Sequence, residues 1–211
     1  MYNPKHFEET RVDVLHQHIR AHPLAALVVV TGDGLDANHI PLEIDPDPAP
    51  FGTLRGHVAR ANPVWKQAHD TPALAIFQGP STYISPAWYP TKQETSKVVP
   101  TWNYAVVHAH GTIRFIDDRT WLRAFVERLT DRHESTRPEP WKVTDAPADY
   151  IEKQLGAIIG LEIPITRLVG KWKVSQNRPA QDRDGAAEGL LREGGPSAAA
   201  MAELIRRARS E

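Results

Sequence analysis

From Leu24 to Thr31 the chain reads LAALVVVT, an apolar and β-branched run that predicts a buried strand. Gly32-Asp33-Gly34 follows as a turn, and a second strand around Asp36 to Ile44 completes a hairpin. After a Pro-rich loop, a third strand is expected from Thr53 to Val58. Ala73 to Phe77 and Thr82 to Ser85 read as two more, separated by Gly79-Pro80. Tyr104 to Ile116 is the longest candidate, and Ile158 to Ile165 and Leu168 to Val174 are the last. Helical spacing marks Pro4 to Ile19, through Phe7, Val12, Leu15 and Ile19. It also marks Arg119 to Asp131, where Asp118 or Asp117 serves as the cap, and Ala148 to Leu155. Residues 178–211 read as a polar turn and an Ala-rich helix.

Strands outnumber helices, and short links join most of them. No regular β-α-β alternation appears, which favours a mainly β fold, a barrel with peripheral helices, over a doubly wound sheet. Residues 1–178 are expected to form the barrel domain with its N-terminal helix, and 179–211 a helical tail of the same domain.

Parity within Tyr104 to Ile116 adds detail. Ala105, Val107, Ala109, Ile113 and Phe115 share one face with Gly111, whereas Tyr104, His108, His110, Thr112 and Arg114 share the other with Val106. The first face belongs to the core. His108 and His110 lie on the second, about 6.5–7 Å apart along the strand. No carboxylate converges on them, so the pair is not read as a metal site. Solvent exposure and a polar interface, with a ligand or a second subunit, remain open. Near the C-terminal end Trp172 and Val174 face one way and Lys171, Lys173 and Ser175 the other. Two ammonium groups and a hydroxyl suit an anion, and a solvated face would look the same. The apolar parity changes between Ile165 and Trp172, which a turn or bulge near Gly170 would explain.

Charge and composition narrow the function classes. The 211 residues carry a formal net charge of −1, so nothing global favours nucleic acid or a membrane surface. Cysteine is absent, which removes disulfides and thiolate chemistry. No basic-then-apolar leader opens the chain, and the longest apolar run is far short of a membrane span. The reading is a soluble, cytoplasmic protein.

GDGLDA after the first strand matches a dinucleotide fingerprint only in spacing, because Pro41 follows where a helix is required. In GHVARANPVWK, Asn62 suits an N-cap and Pro63 the first helical position, with Arg60 and Lys66 adding positive charge.

MYNPKHF, ANHIPL, GHVARANPVW, YISPAWY, VPTWNYAVVHAHG and KVSQNRP, in this order, resemble the PaiB family of FMN-binding negative transcriptional regulators. The resemblance spans residues 1 to about 179 and implies an FMN-binding split barrel, with FMN at the interface of a homodimer. Carried over by block, His39 would sit near the isoalloxazine, and His57, Ala59, Arg60 and Asn62 near the ribityl chain and phosphate. Tyr83, Ser85, Trp102, Asn103 and Tyr104 would line the pocket, and Lys171, Ser175 and Gln176 would close it. His57 and Ala59 stand where the wider fold favours Arg, Lys, Ser or Thr for the phosphate. The leading expectation is a flavin-responsive regulator. Its DNA contacts are not supported by charge, since only Arg206, Arg207 and Arg209 form a local basic patch. The alternatives are a flavin-dependent oxidoreductase and a haem-binding or haem-degrading protein, the latter through His108 and His110.

Overall fold

The computed structural model describes residues 1–208; Arg209 of the basic patch lies outside them. In chain order the elements are β1 (Glu8–Glu9), α1 (Val12–Ala21), β2 (Leu24–Thr31), β3 (Gly34–Pro41), β4 (Glu43–Asp45), β5 (Thr53–Ala59), α2 (Val64–Gln67) and β6 (Thr71–Ile84). They continue as α3 (Thr91–Thr95), β7 (Thr101–Ile116), α4 (Arg119–Glu134), α5 (Ala148–Gly156), β8 (Ile158–Lys173), α6 (Ala180–Glu193) and α7 (Pro196–Arg207). The strands follow the order β3-β2-β6-β7-β8-β5-β4, with β1 beside β8. The fold is mainly antiparallel β with peripheral helices, as the sequence predicts.

Two compact units make up the chain, and β6, β7 and β8 contribute to both. The first comprises Met1–His18, Phe77–Val107 and the described residues from Val169 onward. Within it α6 and α7 close over Ile84, Tyr89 and Val174 with Ala186, Leu190, Met201 and Ile205. The glycines of α6 make this packing possible, because they recur at i, i+4 on one face. A Cβ at Gly189 would lie 2.3 Å from the Trp88 ring, and one at Gly185 2.1 Å from the Trp88 carbonyl.

The second unit comprises Ile19–Ile76 and His108–Leu168. In it β2 and β3 form a hairpin with Thr31 opposite Gly34, closed by the two residues Gly32-Asp33. Gly34 has φ +111°, a conformation that costs glycine little. The GDG motif is therefore a hairpin turn. β5 pairs with β4 and with β8, and α4 and α5 pack through Leu122, Ile151 and Leu155. Asp118 is the cap of α4: its side chain accepts the Trp121 N–H at 2.7 Å.

Several expected boundaries move. Ala73–Phe77 and Thr82–Ile84 lie in one strand, β6, and Ser85 falls just past its end. Gly79 does not break it but gives the room that the buried His18 ring occupies, since a Cβ there would fall 2.3 Å from His18 Cε1. The second strand of the hairpin ends at Pro41, because the Leu42 N–H turns to the Pro23 carbonyl, 2.9 Å away. The two last strands are also one, β8, with no turn at Gly170. The buried parity changes as β8 passes from one unit to the other at Val169, so Leu161, Ile163 and Ile165 serve one core and Val174 another. The N-terminal helix begins only at Val12, since a 3-10 turn at Lys5–Phe7 and the pairing of Glu8 with Lys171 precede it. The tail holds two helices, broken at Gly194-Gly195, both at positive φ.

Candidate functional site

The expected site residues fall into two groups, one in each unit. Tyr83, Ser85, Trp102, Asn103, Tyr104, Lys171, Ser175 and Gln176 belong to the first unit. Here β7 begins and β8 ends, and their residues meet. Tyr83 and Trp102 are 46% and 52% exposed, large apolar surfaces left open beside each other. Their rings lie edge to face, 6.3 Å apart.

Lys171 is the most informative residue of this group. It is only 7% exposed, and its Nζ donates to the Tyr2 carbonyl at 2.9 Å. The ammonium also sits over the rings of Tyr2 and Tyr104, at 5.6 and 5.5 Å. No carboxylate pairs with it among the described residues. Buried charges are ordinarily paired, so the solvated-face reading of Lys171 is incorrect. Lys173, on the same face, donates to Thr101 Oγ1 at 2.6 Å and to the Trp102 carbonyl at 2.9 Å. Asn103 is fully buried, and its Nδ2 donates to Ser175 Oγ at 2.9 Å. Its Oδ1 has no partner. Ser175 lies past the end of β8 at φ +67°, so the turn, and not strand alternation, carries it to Asn103. Gln176 secures that turn by donating to the Trp172 carbonyl and accepting from the Val174 N–H. Ser85 is occupied with capping, its hydroxyl accepting from the Ala87 N–H at 3.2 Å.

His39, His57, Ala59, Arg60 and Asn62 belong to the second unit. His39 is exposed on β3. His57 is half-buried against the Phe125 ring at 5.9 Å, and burial pushes its pKa down. Ala59 is exposed and brings no polar group. Arg60 makes two hydrogen bonds to Asp117, at 2.8 and 2.6 Å, and two more to the carbonyls of Gly156 and Ile158. Its guanidinium holds the Asp117 carboxyl below the usual carboxylate range. Asn62 Oδ1 accepts from the Val64 N–H, and its Nδ2 donates to Asn38. The asparagine thus serves the start of α2, although Pro63 holds the cap position and α2 is a single turn.

His108 and His110 also lie in the second unit, their rings 6.3 Å apart. Arg167 donates to the His110 ring. Burial, helped by His110 and Arg167, pushes His108 down to about 4. Among the described residues no group of three or more His, Asp or Glu is placed to hold a metal ion, and no helix is long and apolar enough to cross a membrane.

Two contributors are missing from the motif-based residue list. Tyr2 stands in the MYNPKHF block without an assigned role, because only the pairing of β1 with β8 brings the N-terminus to Lys171. Lys173 is signalled by its parity with Lys171.

The donor set can be tested against a flavin. Two exposed rings, a buried ammonium and an unpartnered buried amide oxygen fit a planar, partly anionic heterocycle that carries N–H and carbonyl groups. His57, Ala59 and Arg60 fit a phosphate poorly, since they offer a ring whose charged form burial disfavours, a methyl group and a guanidinium already bound by a carboxylate.

Residues 1–167 match the family described as "Putative FMN-binding domain". An uncharacterised protein of Emericella nidulans is 34% identical, covering 94% of this chain and 93% of its own. Protease synthase and sporulation protein PAI 2 of Bacillus subtilis is 29% identical over 97% of this chain and 96% of its own. Among solved structures, the FAD and heme binding protein of Mycobacterium smegmatis is similar with a TM-score of 0.59 and 18% identity, covering 79% of this chain and 73% of that one. A conserved hypothetical protein of Mycobacterium tuberculosis is similar with a TM-score of 0.56 and 10% identity, covering 85% and 94%. These likenesses show the fold, a split barrel. The chain belongs to the FMN-binding domain family, as a split-barrel protein of the PaiB type.

Proposed function

We propose that this chain binds FMN and acts as a PaiB-type negative regulator of transcription, as a cytoplasmic homodimer. The observation that carries the flavin half is Lys171, a buried ammonium with two aromatic rings and, among the described residues, no carboxylate. Lys171 would face electron-rich or anionic atoms of the flavin. Tyr83 and Trp102 would offer apolar surface to its ring, and the Asn103 amide oxygen an acceptor for one of its N–H groups. When bound, FMN supplies reversible electron transfer, which makes redox state a signal the protein can report. Lys173 and Thr101 hold the start of β7 in place, and the Gln176 turn holds Ser175 against Asn103.

The regulatory half rests on the family alone. Its test is the transcript profile of cells lacking this chain, with and without return of the wild-type gene. Transcripts that rise on loss and fall again on return support repression. An unchanged profile removes the regulatory half and leaves flavin binding to its own test.

A further inference from the structure

The second unit holds a concavity that the flavin reading does not use. A cavity of about 370 Å³ is lined by Arg20, Arg55, Arg128 and Arg132 together with Glu43 and Asp45. The sequence disperses these residues over α1, β4, β5 and α4, and the fold brings them to one place.

The ion pairs divide the four arginines by role. Arg55 is neutralised: it donates to Asp45 and, at 2.7 Å, to Glu162. Glu43 is 8% exposed and serves two guanidinium groups at once. Arg132 donates to its Oε1 at 3.3 Å, and Arg128 Nε stands 3.6 Å from its Oε2. A single carboxylate shared in this way leaves most N–H groups of both arginines open to the cavity. Arg20 has no carboxylate partner among the described residues. With Glu162, which pairs Arg55 from outside the lining, three carboxylates offset three of the four guanidinium groups, and the one surplus charge is shared by Arg20, Arg128 and Arg132. Ile44 and Pro46 add an apolar wall.

We propose that this cavity binds a phosphate group, free or carried by a small metabolite. The planar guanidinium fork matches phosphate oxygens in pairs, and three such groups around one hollow offer several paired donors to one phosphate. Glu43 acts as the positioning residue, holding two arginines of α4 one turn apart toward the ligand. The volume is that of a small-molecule site. None of these residues belongs to the Lys171 group, so the site is separate from the flavin proposal.

The test is calorimetric titration of the full chain with inorganic phosphate and with glycerol 3-phosphate, before and after FMN addition. Saturable binding that is unaffected by FMN supports the proposal. Arg20→Gln and Arg132→Gln should each weaken it about tenfold, while Lys171→Met leaves it unchanged. Tighter binding of the ester identifies a phosphorylated metabolite, and equal binding identifies inorganic phosphate. Arg20 is exposed, so its variant reports on binding even if Arg132→Gln disturbs α4. Absence of saturable binding overturns the proposal, as does unchanged binding in folded Arg20→Gln. Competition between phosphate and FMN also overturns it, because the cavity would then be part of the flavin site.

Discussion

The Asn103 amide donates to the Ser175 hydroxyl at 2.9 Å, while the oxygen of the same amide is buried without a partner. An unsatisfied buried acceptor costs about 1–3 kcal/mol, so its persistence fits a group held ready for a ligand. Asn103→Leu should weaken FMN binding about tenfold and change the stability of the flavin-free protein by about 1 kcal/mol or less. Flavin fluorescence titration and thermal melts check both. Unchanged FMN affinity would remove Asn103 from the site.

Lys171 gives a variant with opposite effects on fold and ligand. A buried charge replaced by an apolar group of similar length is often neutral or stabilising. Lys171→Met should therefore melt at or above the wild-type temperature without FMN, and lose most of the rise in melting temperature that FMN produces. A lower melting point with an undiminished FMN effect would mean that Lys171 is structural.

His108 makes the fold sensitive to acid. Its folded pKa is about 4, below the ordinary 6.5, chiefly through burial. Between these values the unfolded chain binds a proton that the folded chain refuses. Stability is complete above about pH 6.5 and falls as the pH drops toward 4. His57 and His110 are shifted in the same direction. His108→Gln should flatten the acid limb of melting temperature against pH. A His108 NMR titration midpoint near 6.5 would contradict this.

Gly111 has no room for a side chain. A Cβ there would stand 2.2 Å from the Pro164 carbonyl oxygen and 2.7 Å from Ile163 Cγ2. Backbone cannot yield as a flexible side chain can, so Gly111→Ala should destabilise the protein by roughly 2–3 kcal/mol. Chemical denaturation measures it, and a loss below about 0.5 kcal/mol, the scale of an ordinary surface change, would show that β7 and β8 adjust.

Local patterns made much of this fold legible. The LAALVVVT run and its GDG turn predict β2 and the hairpin because both signals are local. Parity in β7 correctly separates Ala105, Val107 and Ala109 from His108 and His110. Punctuation by glycine and proline misleads where tertiary packing sets the rule, as at Gly79, which makes space for His18. The motif blocks gather Tyr83, Trp102, Asn103, Tyr104, Lys171 and Ser175, whose contacts the structure supplies. Tyr2 at Lys171 was not legible, because a contact 169 residues apart leaves no periodic trace. Nor was the partnership of Arg60 with Asp117, a contact 57 residues apart.

The most direct measurement is the absorbance spectrum of the purified full chain during titration with FMN. Saturable perturbation of the flavin bands, weakened in Lys171→Met and Asn103→Leu, is the expected result. An FMN spectrum that stays that of free flavin at every protein concentration would contradict flavin binding by this chain.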